Sequence, residues 1–149
     1  MQQALRREAR PLIIGGKAPA VVFADADPRK VAEGLVLAAY FNAGQDCTAA
    51  TRVIVHESVH DALVDKVVSV VRSVVPGDPL DPTTEIGPVA SAGQFRTVSK
   101  YIEIGMSEGT LIAGGPGPVD GHDRGYFVKP TVFSRLDPGA TVVQEEIFG

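Results

Sequence analysis

Hydrophobic residues in this chain form short β-branched runs that alternate with longer segments of helical spacing. Three such runs predict strands, at residues 20–23, 51–55 and 110–113. Three longer segments repeat apolar residues every three or four positions and predict amphipathic helices, at residues 31–41, 59–74 and 91–105. Strands that alternate with helices of this length predict an α/β fold, with three layers around a mostly parallel sheet.

Polar residues predict where the helices begin. Asp25 or Asp27 is suited to cap the first helix, because Pro28 follows at a position where its missing N–H costs nothing. Ser58 and Ser91 each precede an acidic or amide residue by three positions, which is typical of a helix start. We therefore expect the second and third helices to start at these serines.

The two ends of the chain are less regular. Residues 1–10 are polar with little pattern and predict an N-terminal arm, while residues 11–14 predict a short buried strand. Residues 126–133 predict an extended segment, with Pro130 at an edge or bulge, and residues 141–144 predict a last strand. The folded domain is thus predicted to span residues 11–149.

Composition excludes several classes of function. The net charge is −4 and the charges are interspersed, so there is no basic surface for nucleic acid. No apolar run approaches the ~20 residues that a membrane span requires. The single cysteine excludes an internal disulfide, so we expect a reducing, cytoplasmic location.

A zinc signature is present in letters but lacks its structural context. Residues 56–60 read His-Glu-Ser-Val-His, the H-E-x-x-H pattern of zinc hydrolases. That pattern works only when both histidines lie one turn apart on one helix. Here His56 ends a predicted strand and Ser58 is a predicted helix start, so the two rings should be separated. We expect no metal site and keep a zinc hydrolase as a remote alternative.

Cys47 is the more informative residue. It lies in a short polar loop between a predicted helix and a predicted strand, with Gln45, Asp46 and Thr48 beside it. Structural free cysteines usually lie in apolar runs, whereas nucleophilic ones lie in anchored loops such as this one. A neighbouring carboxylate opposes thiolate formation, however, so an inert thiol remains an alternative.

Four motifs in order resemble the NAD(P)-dependent aldehyde dehydrogenase family. Residues 41–48, Phe-Asn-Ala-Gly-Gln-Asp-Cys-Thr, resemble its active-site cysteine signature. Residues 15–19 resemble its Gly-Gly-Lys segment, 125–133 its Gly-Tyr-Phe-x-x-Pro-Thr strand, and 145–149 its Glu-Glu-Ile-Phe-Gly segment. The wording around the cysteine is similar to that of enzymes for ω-aminoaldehydes, such as aminobutyraldehyde or betaine aldehyde. The resemblance implies a partial catalytic domain at residues 11–149.

The resemblance also implies roles for individual residues. Cys47 would attack an aldehyde to form a thiohemiacetal, and loss of hydride to NAD or NADP would leave a thioester for water to hydrolyse. The backbone N–H of Cys47 would help to hold the oxyanion. The remaining roles are binding of the cofactor by Gly15, Glu146 and Phe148, and lining of the substrate pocket by Gln45 and Asp46.

Two departures from the family pattern limit the expected activity. The position of the general base, a glutamate in the family, is Ile13, and losing a general base typically costs ~10²–10⁴-fold in rate. We also expect the family's preceding cofactor-binding domain to be absent from this chain. The sequence therefore predicts a truncated, weakly active or inactive dehydrogenase. The alternative is a non-catalytic remnant or subunit that binds another polypeptide. The expected partners are a small-molecule aldehyde and either further copies of this chain or a partner chain that carries the missing domain.

Overall fold

A computed structural model describes residues 16–149 of the chain. The predicted arm at residues 1–10 and the predicted strand at residues 11–14 lie outside the described residues. The first described elements are strand β1, Pro19–Val22, and helix α1, Pro28–Tyr40. The cap of α1 is Asp27, whose carboxylate accepts a hydrogen bond from the backbone N–H of Arg29 at 3.0 Å.

The first parallel pair of strands follows from the pattern of apolar residues. Strand β2, Arg52–Val55, pairs with β1 in parallel, and helix α2, Glu57–Ser73, comes directly after it. Both helices pack on one face of this pair, because each presents a stripe of apolar residues toward it. The resulting core cluster contains Val22, Ala32, Leu35 and Leu63.

Helix α2 begins earlier than predicted. Its cap is His56, whose Nδ1 accepts a hydrogen bond from the backbone N–H of Ser58 at 3.2 Å. Ser58 therefore lies inside the helix, and the prediction that it caps the helix is wrong. The first N–H groups of a helix lack partners within the helix. Here an imidazole nitrogen accepts a hydrogen bond from one of them, as a serine oxygen does in the more usual cap.

The second half of the chain pairs its strands in the opposite sense. Helix α3, Ala92–Glu108, begins as predicted at Ser91, whose hydroxyl accepts from the N–H of Gln94. Strand β3, Thr110–Ala113, then pairs with strand β4, Val132–Ser134, in an antiparallel sense. Of the predicted extended segment, only the end thus joins a sheet.

The last element differs from its prediction. Residues 141–144 form a short helix, α4, Thr141–Gln144, and not a strand. Its first two N–H groups, on Thr141 and Val142, donate to the carboxylate of Glu108 at 2.9 and 3.0 Å. This distant carboxylate stabilises a helical turn that the β-branched sequence alone disfavours.

The predicted α/β class is confirmed. The predicted parallel pairing occurs in the short pair of β1 and β2. A second core cluster, of Val36, Val71 and Ala113, joins the helices of the first half to strand β3. The hydroxyl of Tyr40 adds a polar link between the halves by donating to the backbone oxygen of Thr131 at 2.9 Å. Across residues 16–149, every helix is too short or too polar to cross a membrane.

Candidate active site

The loop before Cys47 has an unusual backbone. After α1 ends, residues 41–44 make a tight turn in which Asn42 and Ala43 have φ of 52° and 56°, and Gly44 has φ of 74°. Left-handed conformations of residues other than glycine are uncommon and need support from their surroundings. The support is local, because the side-chain amide of Asn42 donates to the backbone oxygen of Gln45 at 3.1 Å.

Gln45 anchors the loop to the start of α3. Its side-chain oxygen accepts a hydrogen bond from the N–H of Ala90 at 2.9 Å, and its amide nitrogen donates to the backbone oxygen of Asn42 at 3.3 Å. Both ends of this side chain are therefore engaged within the protein. Through these two hydrogen bonds, Gln45 links the cysteine loop to Ala90 and to Asn42.

Cys47 is exposed at the tip of this loop, and Asp46 shapes the turn that carries it. One carboxylate oxygen of Asp46 accepts from both the N–H and the hydroxyl of Thr48, each at 2.8 Å. These two hydrogen bonds hold the pKa of Asp46 below its ordinary value. Asp46 thus remains ionised near neutral pH, while its charge is directed at Thr48.

A pocket beside Cys47 joins three of the predicted motifs. Its walls come from the Gly-Gly-Lys segment, the cysteine loop and the last residues of the chain. They are Gly16, Lys17, Gly44, Asp46, Thr51, Glu146, Ile147 and Phe148. Segments up to 132 residues apart in sequence, from Gly16 to Phe148, therefore meet at one place. Cys47 directly follows Asp46 in the chain and is exposed, but it is not one of the residues that line the pocket.

Glu146 lies against the backbone of Gly16. A β-carbon built at Gly16 would lie 2.2 Å from Oε1 of Glu146, and Gly16 has φ of 82°. A glycine here both allows the left-handed backbone and leaves room for the carboxylate. The carboxylate of Glu146 is thereby held in the wall of the pocket.

Lys17 is a charged residue of this pocket to which the sequence analysis assigned no role. Burial and, secondly, the positive charge of Arg52 lower the pKa of Lys17 to about 8, although the nearby carboxylate of Glu146 acts in the opposite direction. The backbone oxygen of Lys17 also accepts from Nε of Arg52 at 2.8 Å. Near neutral pH this ammonium group adds positive charge beside Glu146.

Phe148 completes the pocket on the side of the chain end. It is 39% exposed and has φ of 60°, a further left-handed residue that is not glycine. The backbone of Gly149 approaches Gly44 so closely that a β-carbon on Gly44 would lie 2.8 Å from it. The cysteine loop and the chain end therefore support each other directly.

The zinc signature is divided by the start of α2, as predicted. His56 is the residue that caps the helix, while His60 lies in its first turns. The Nδ1 atom of His56 is engaged with Ser58, and that of His60 contacts the Asp61 carboxylate at 2.8 Å. Within the described part of the chain, no three His, Cys, Asp or Glu side chains are grouped to hold a metal ion.

Comparison with known proteins identifies the family of this chain. The sequence pattern of the aldehyde dehydrogenase family matches residues 2–149. The chain belongs to the aldehyde dehydrogenase family. It is 43% identical over 136 residues to 1-pyrroline-5-carboxylate dehydrogenase of Bacillus subtilis, covering 91% of this chain and 26% of that protein. It is 40% identical over 138 residues to betaine aldehyde dehydrogenase of Brucella anthropi, covering 91% of this chain and 28% of the relative.

Solved structures of aldehyde dehydrogenases share the fold. Aldehyde dehydrogenase C from Pseudomonas syringae, solved as a variant with NAD⁺ and octanal, matches with a TM-score of 0.88 and 38% identity. The match covers 91% of this chain and 28% of that structure. The catalytic-domain fold predicted from the resemblance is thus confirmed. The 149 residues span only about a quarter of the length of these relatives.

The structure of this aldehyde dehydrogenase chain brings together three of the six predicted site residues in one pocket. Asp46, Glu146 and Phe148 line one pocket, Cys47 is exposed in the same loop as Asp46, and Gln45 links that loop to Ala90. Gly15 and Ile13 lie outside the described residues. Sequence reasoning assigned no role to Lys17 or Thr51, although Lys17 stands within the Gly-Gly-Lys motif.

Proposed function

We propose that this chain carries the cysteine and nicotinamide-ribose part of an aldehyde dehydrogenase active site, with Cys47 as the nucleophile. The observation that supports it most is the pocket that joins Gly16, Glu146 and Phe148 next to the Cys47 loop. A carboxylate and an exposed aromatic ring suit a ribose hydroxyl and a nicotinamide face, respectively. The room that Gly16 leaves for Glu146 fits such a cofactor contact.

The chemistry on Cys47 follows from its family. The thiolate sulfur forms a bond to the aldehyde carbon, and the carbonyl electron pair moves to oxygen, where the N–H of Cys47 stabilises it. For the hydrogen on that carbon, bound NAD or NADP would supply the hydride acceptor. The carbon is then a thioester carbonyl on Cys47. Glu146 and Phe148 would orient the ring end of the cofactor, and Asp46 would line the approach of the substrate.

Release of the acid is the step that this chain should perform poorly. Hydrolysis of a thioester needs a base to take a proton from water, and the side chain of Ile13 cannot do so. We therefore propose that the chain forms an acyl enzyme and turns over slowly, at a rate reduced by ~10²–10⁴-fold for want of a base. The substrate class we propose is an ω-aminoaldehyde, because the sequence of residues 45–48, Gln-Asp-Cys-Thr, is similar to that of enzymes for these aldehydes. The location we propose is the cytoplasm.

Acylation by an activated ester tests the nucleophile without a cofactor. With p-nitrophenyl acetate, the chain should release a burst of about one equivalent of p-nitrophenolate and gain one acetyl group on Cys47. Cys47→Ser should abolish both the burst and the mass increase. An acetyl group found elsewhere, or a burst that persists in Cys47→Ser, would refute Cys47 as the nucleophile. Rapid NADH formation with an aldehyde would refute the slow release.

A second candidate function is binding of another polypeptide through the open face of β1 and β2. One face of the pair is covered by α1 and α2, but Val21 and Ile54, which pair in register, are each 56% exposed on the other side. Parallel strands are usually covered on both faces. The occupant that fits is a polypeptide carrying the rest of the aldehyde dehydrogenase fold, since relatives are several times longer.

Complementation tests this second function. The partner to test is the Bacillus subtilis relative from which the 136 matched residues have been deleted. It should co-purify with this chain when the two are co-expressed. Val21→Lys and Ile54→Lys should each abolish the complex, whereas Lys66→Ala on α2 should not. Formation of a stable dimer of this chain that the same two variants dissociate would instead favour self-association.

A further inference from the structure

One face of helix α3 carries three polar side chains that all contact the end of the chain. We call Gln94, Tyr101 and Glu108 the α3 stripe, and residues 141–149 the Glu146 segment. The three positions are seven residues apart, which is two helical turns, so they lie in one row along the helix. The row borders the apolar residues that bury α3.

The contacts follow the Glu146 segment in order along the helix. At the C-terminal end of α3, Glu108 accepts from the first two N–H groups of α4. In the middle, the hydroxyl of Tyr101 donates to Oε2 of Glu145 at 2.5 Å. Near the N-terminal end, Nε2 of Gln94 donates to the backbone oxygens of Ile147 and Phe148 at 2.9 and 2.6 Å. The segment thus runs antiparallel to α3 and is held at three points.

This arrangement gives the two neighbouring glutamates different roles. Tyr101 takes the carboxylate of Glu145 toward α3, which leaves the adjacent carboxylate of Glu146 to face Gly16 in the pocket. Alternation of this kind needs an extended backbone, and the residue that ends α4, Glu145, has φ of −97° and ψ of 143°. The carboxylate of Glu145 therefore contacts the α3 stripe, whereas the carboxylate of Glu146 lines the pocket.

The same arrangement supports the strained backbone at Phe148. A φ of 60° is unfavourable for a phenylalanine and persists only where neighbouring contacts enforce it. The two hydrogen bonds from Gln94 grip the carbonyl groups on both sides of the Phe148 α-carbon. They constrain the backbone from which the Phe148 ring projects.

We propose that the α3 stripe is a set of positioning residues that fixes Glu146 and Phe148 for the nicotinamide ribose, an inference that rests on the proposed function. None of its three side chains lines the pocket. They act through the backbone of the Glu146 segment. Loss of any one should loosen the segment and weaken binding of the ribose end of the cofactor.

The test uses the full chain and two readouts. Hydrogen–deuterium exchange of the Glu146 segment measures how firmly it is held, and titration with nicotinamide mononucleotide, followed by amide NMR shifts of residues 146–148, measures the binding. The variants are Gln94→Ala, Tyr101→Phe and Glu108→Gln. Tyr126→Phe and Thr97→Ala serve as controls. The Tyr126 hydroxyl makes no hydrogen bond within residues 16–149, and Thr97 bonds only to α3 itself.

The expected result is a joint change in both readouts. Each stripe variant should speed exchange in the segment and raise the Kd of the mononucleotide about five-fold or more, because a hydrogen bond to a carboxylate or carbonyl is lost. Exchange in α1 and α2 should be unchanged, a split that a general loss of folding would not produce. Both controls should behave like the unmodified chain.

Two results would overturn the proposal in distinguishable ways. Unchanged exchange and unchanged mononucleotide affinity in all three variants would refute the positioning role while leaving the proposed function intact. Absence of any mononucleotide shift in the unmodified chain would refute the cofactor contact of the proposed function, and with it the purpose assigned to the stripe.

Discussion

Oε1 of Glu146 occupies the space that a side chain at Gly16 would need, 2.2 Å from the β-carbon position. Because the obstructing atom is the end of a flexible side chain, Gly16→Ala should displace the carboxylate and leave the fold intact. The strained φ of 82° should add a loss of about 1–2 kcal/mol in the free energy of unfolding. Nicotinamide mononucleotide titration and urea denaturation measure the two effects.

Gly121 offers a matched control for this substitution. It has a similar φ of 77° but no atom within 4 Å of its β-carbon position. Gly121→Ala should therefore lose similar stability and keep mononucleotide affinity. In a Glu146→Ala background, Gly16→Ala should cause no further loss of affinity. Additive losses in that double variant would show that Gly16 does not act through Glu146.

Lys17 should show an unusual dependence on pH. Its pKa of about 8 is lower than the ordinary 10.5 because burial and the charge of Arg52 disfavour the ammonium form. Competitive acylation followed by mass spectrometry should give Lys17 a reactivity midpoint near 8. Glu146→Gln should lower this midpoint, because it removes the carboxylate that favours the charged form. A midpoint that rises, or that does not move, would contradict this electrostatic account.

The same shift predicts how stability varies with pH. Between about 8 and 10.5 the unfolded chain binds more protons at Lys17 than the folded chain, so stability should rise with pH across this window. Below about pH 8 both states are protonated and the cost of the buried charge is fully present. Lys17→Met should flatten the rise in urea denaturation measured between pH 7 and 11. If the unmodified chain instead lost stability as the pH rises from about 8 to 10.5, and Lys17→Met did not, the pKa shift assigned to Lys17 would be contradicted.

The local pattern of the sequence predicted the longer elements well. Asp27 and Ser91 cap their helices as expected, since capping depends on residues only two or three positions away. The apolar stripe of α2, which includes Leu63 and Val71, was correct for the same reason. Periodicity over 13 to 17 residues outweighs the weak helix propensity of valine.

Elements that depend on distant contacts could not be predicted in this way. Residues 141–144 have β-branched character and became a helix because Glu108, more than 30 residues earlier, caps their N–H groups. The pocket itself was predicted only through the family resemblance. Nothing in the local pattern around Lys17 or Gln94 indicates that either residue lies near Glu146, because that proximity arises from packing of the whole chain.

Two exposed or loop glycines should respond to alanine with opposite signs. Gly34 lies within α1 with no atom within 4 Å of its β-carbon position, so Gly34→Ala should raise the free energy of unfolding by up to about 1 kcal/mol. Gly44 has φ of 74° and faces the backbone of Gly149, so Gly44→Ala should lower it by about 1–3 kcal/mol. Urea denaturation measures both.

Gly44→Ala should also change the chemistry of the loop. The backbone of Gly149 must move away from a β-carbon on Gly44, which shifts both the Cys47 turn and Phe148. Slower acylation of Cys47 together with weaker mononucleotide binding is the expected outcome. Gly34→Ala should alter neither. Equal acylation rates in both variants would show that the two walls of the pocket are not coupled.

Tyr40 joins the two halves of the fold through one hydrogen bond, from its hydroxyl to the backbone oxygen of Thr131. Tyr40→Phe keeps the ring but leaves that oxygen without its donor, which should cost about 1–3 kcal/mol in the free energy of unfolding. Burial also raises the pKa of Tyr40 well above its ordinary value, so its absorbance should titrate only as the protein unfolds. Tyr126→Phe, which removes an exposed hydroxyl, should change stability by no more than about 0.5 kcal/mol. Equal losses in the two variants, measured by urea denaturation, would show that the bond to Thr131 does not hold the halves together.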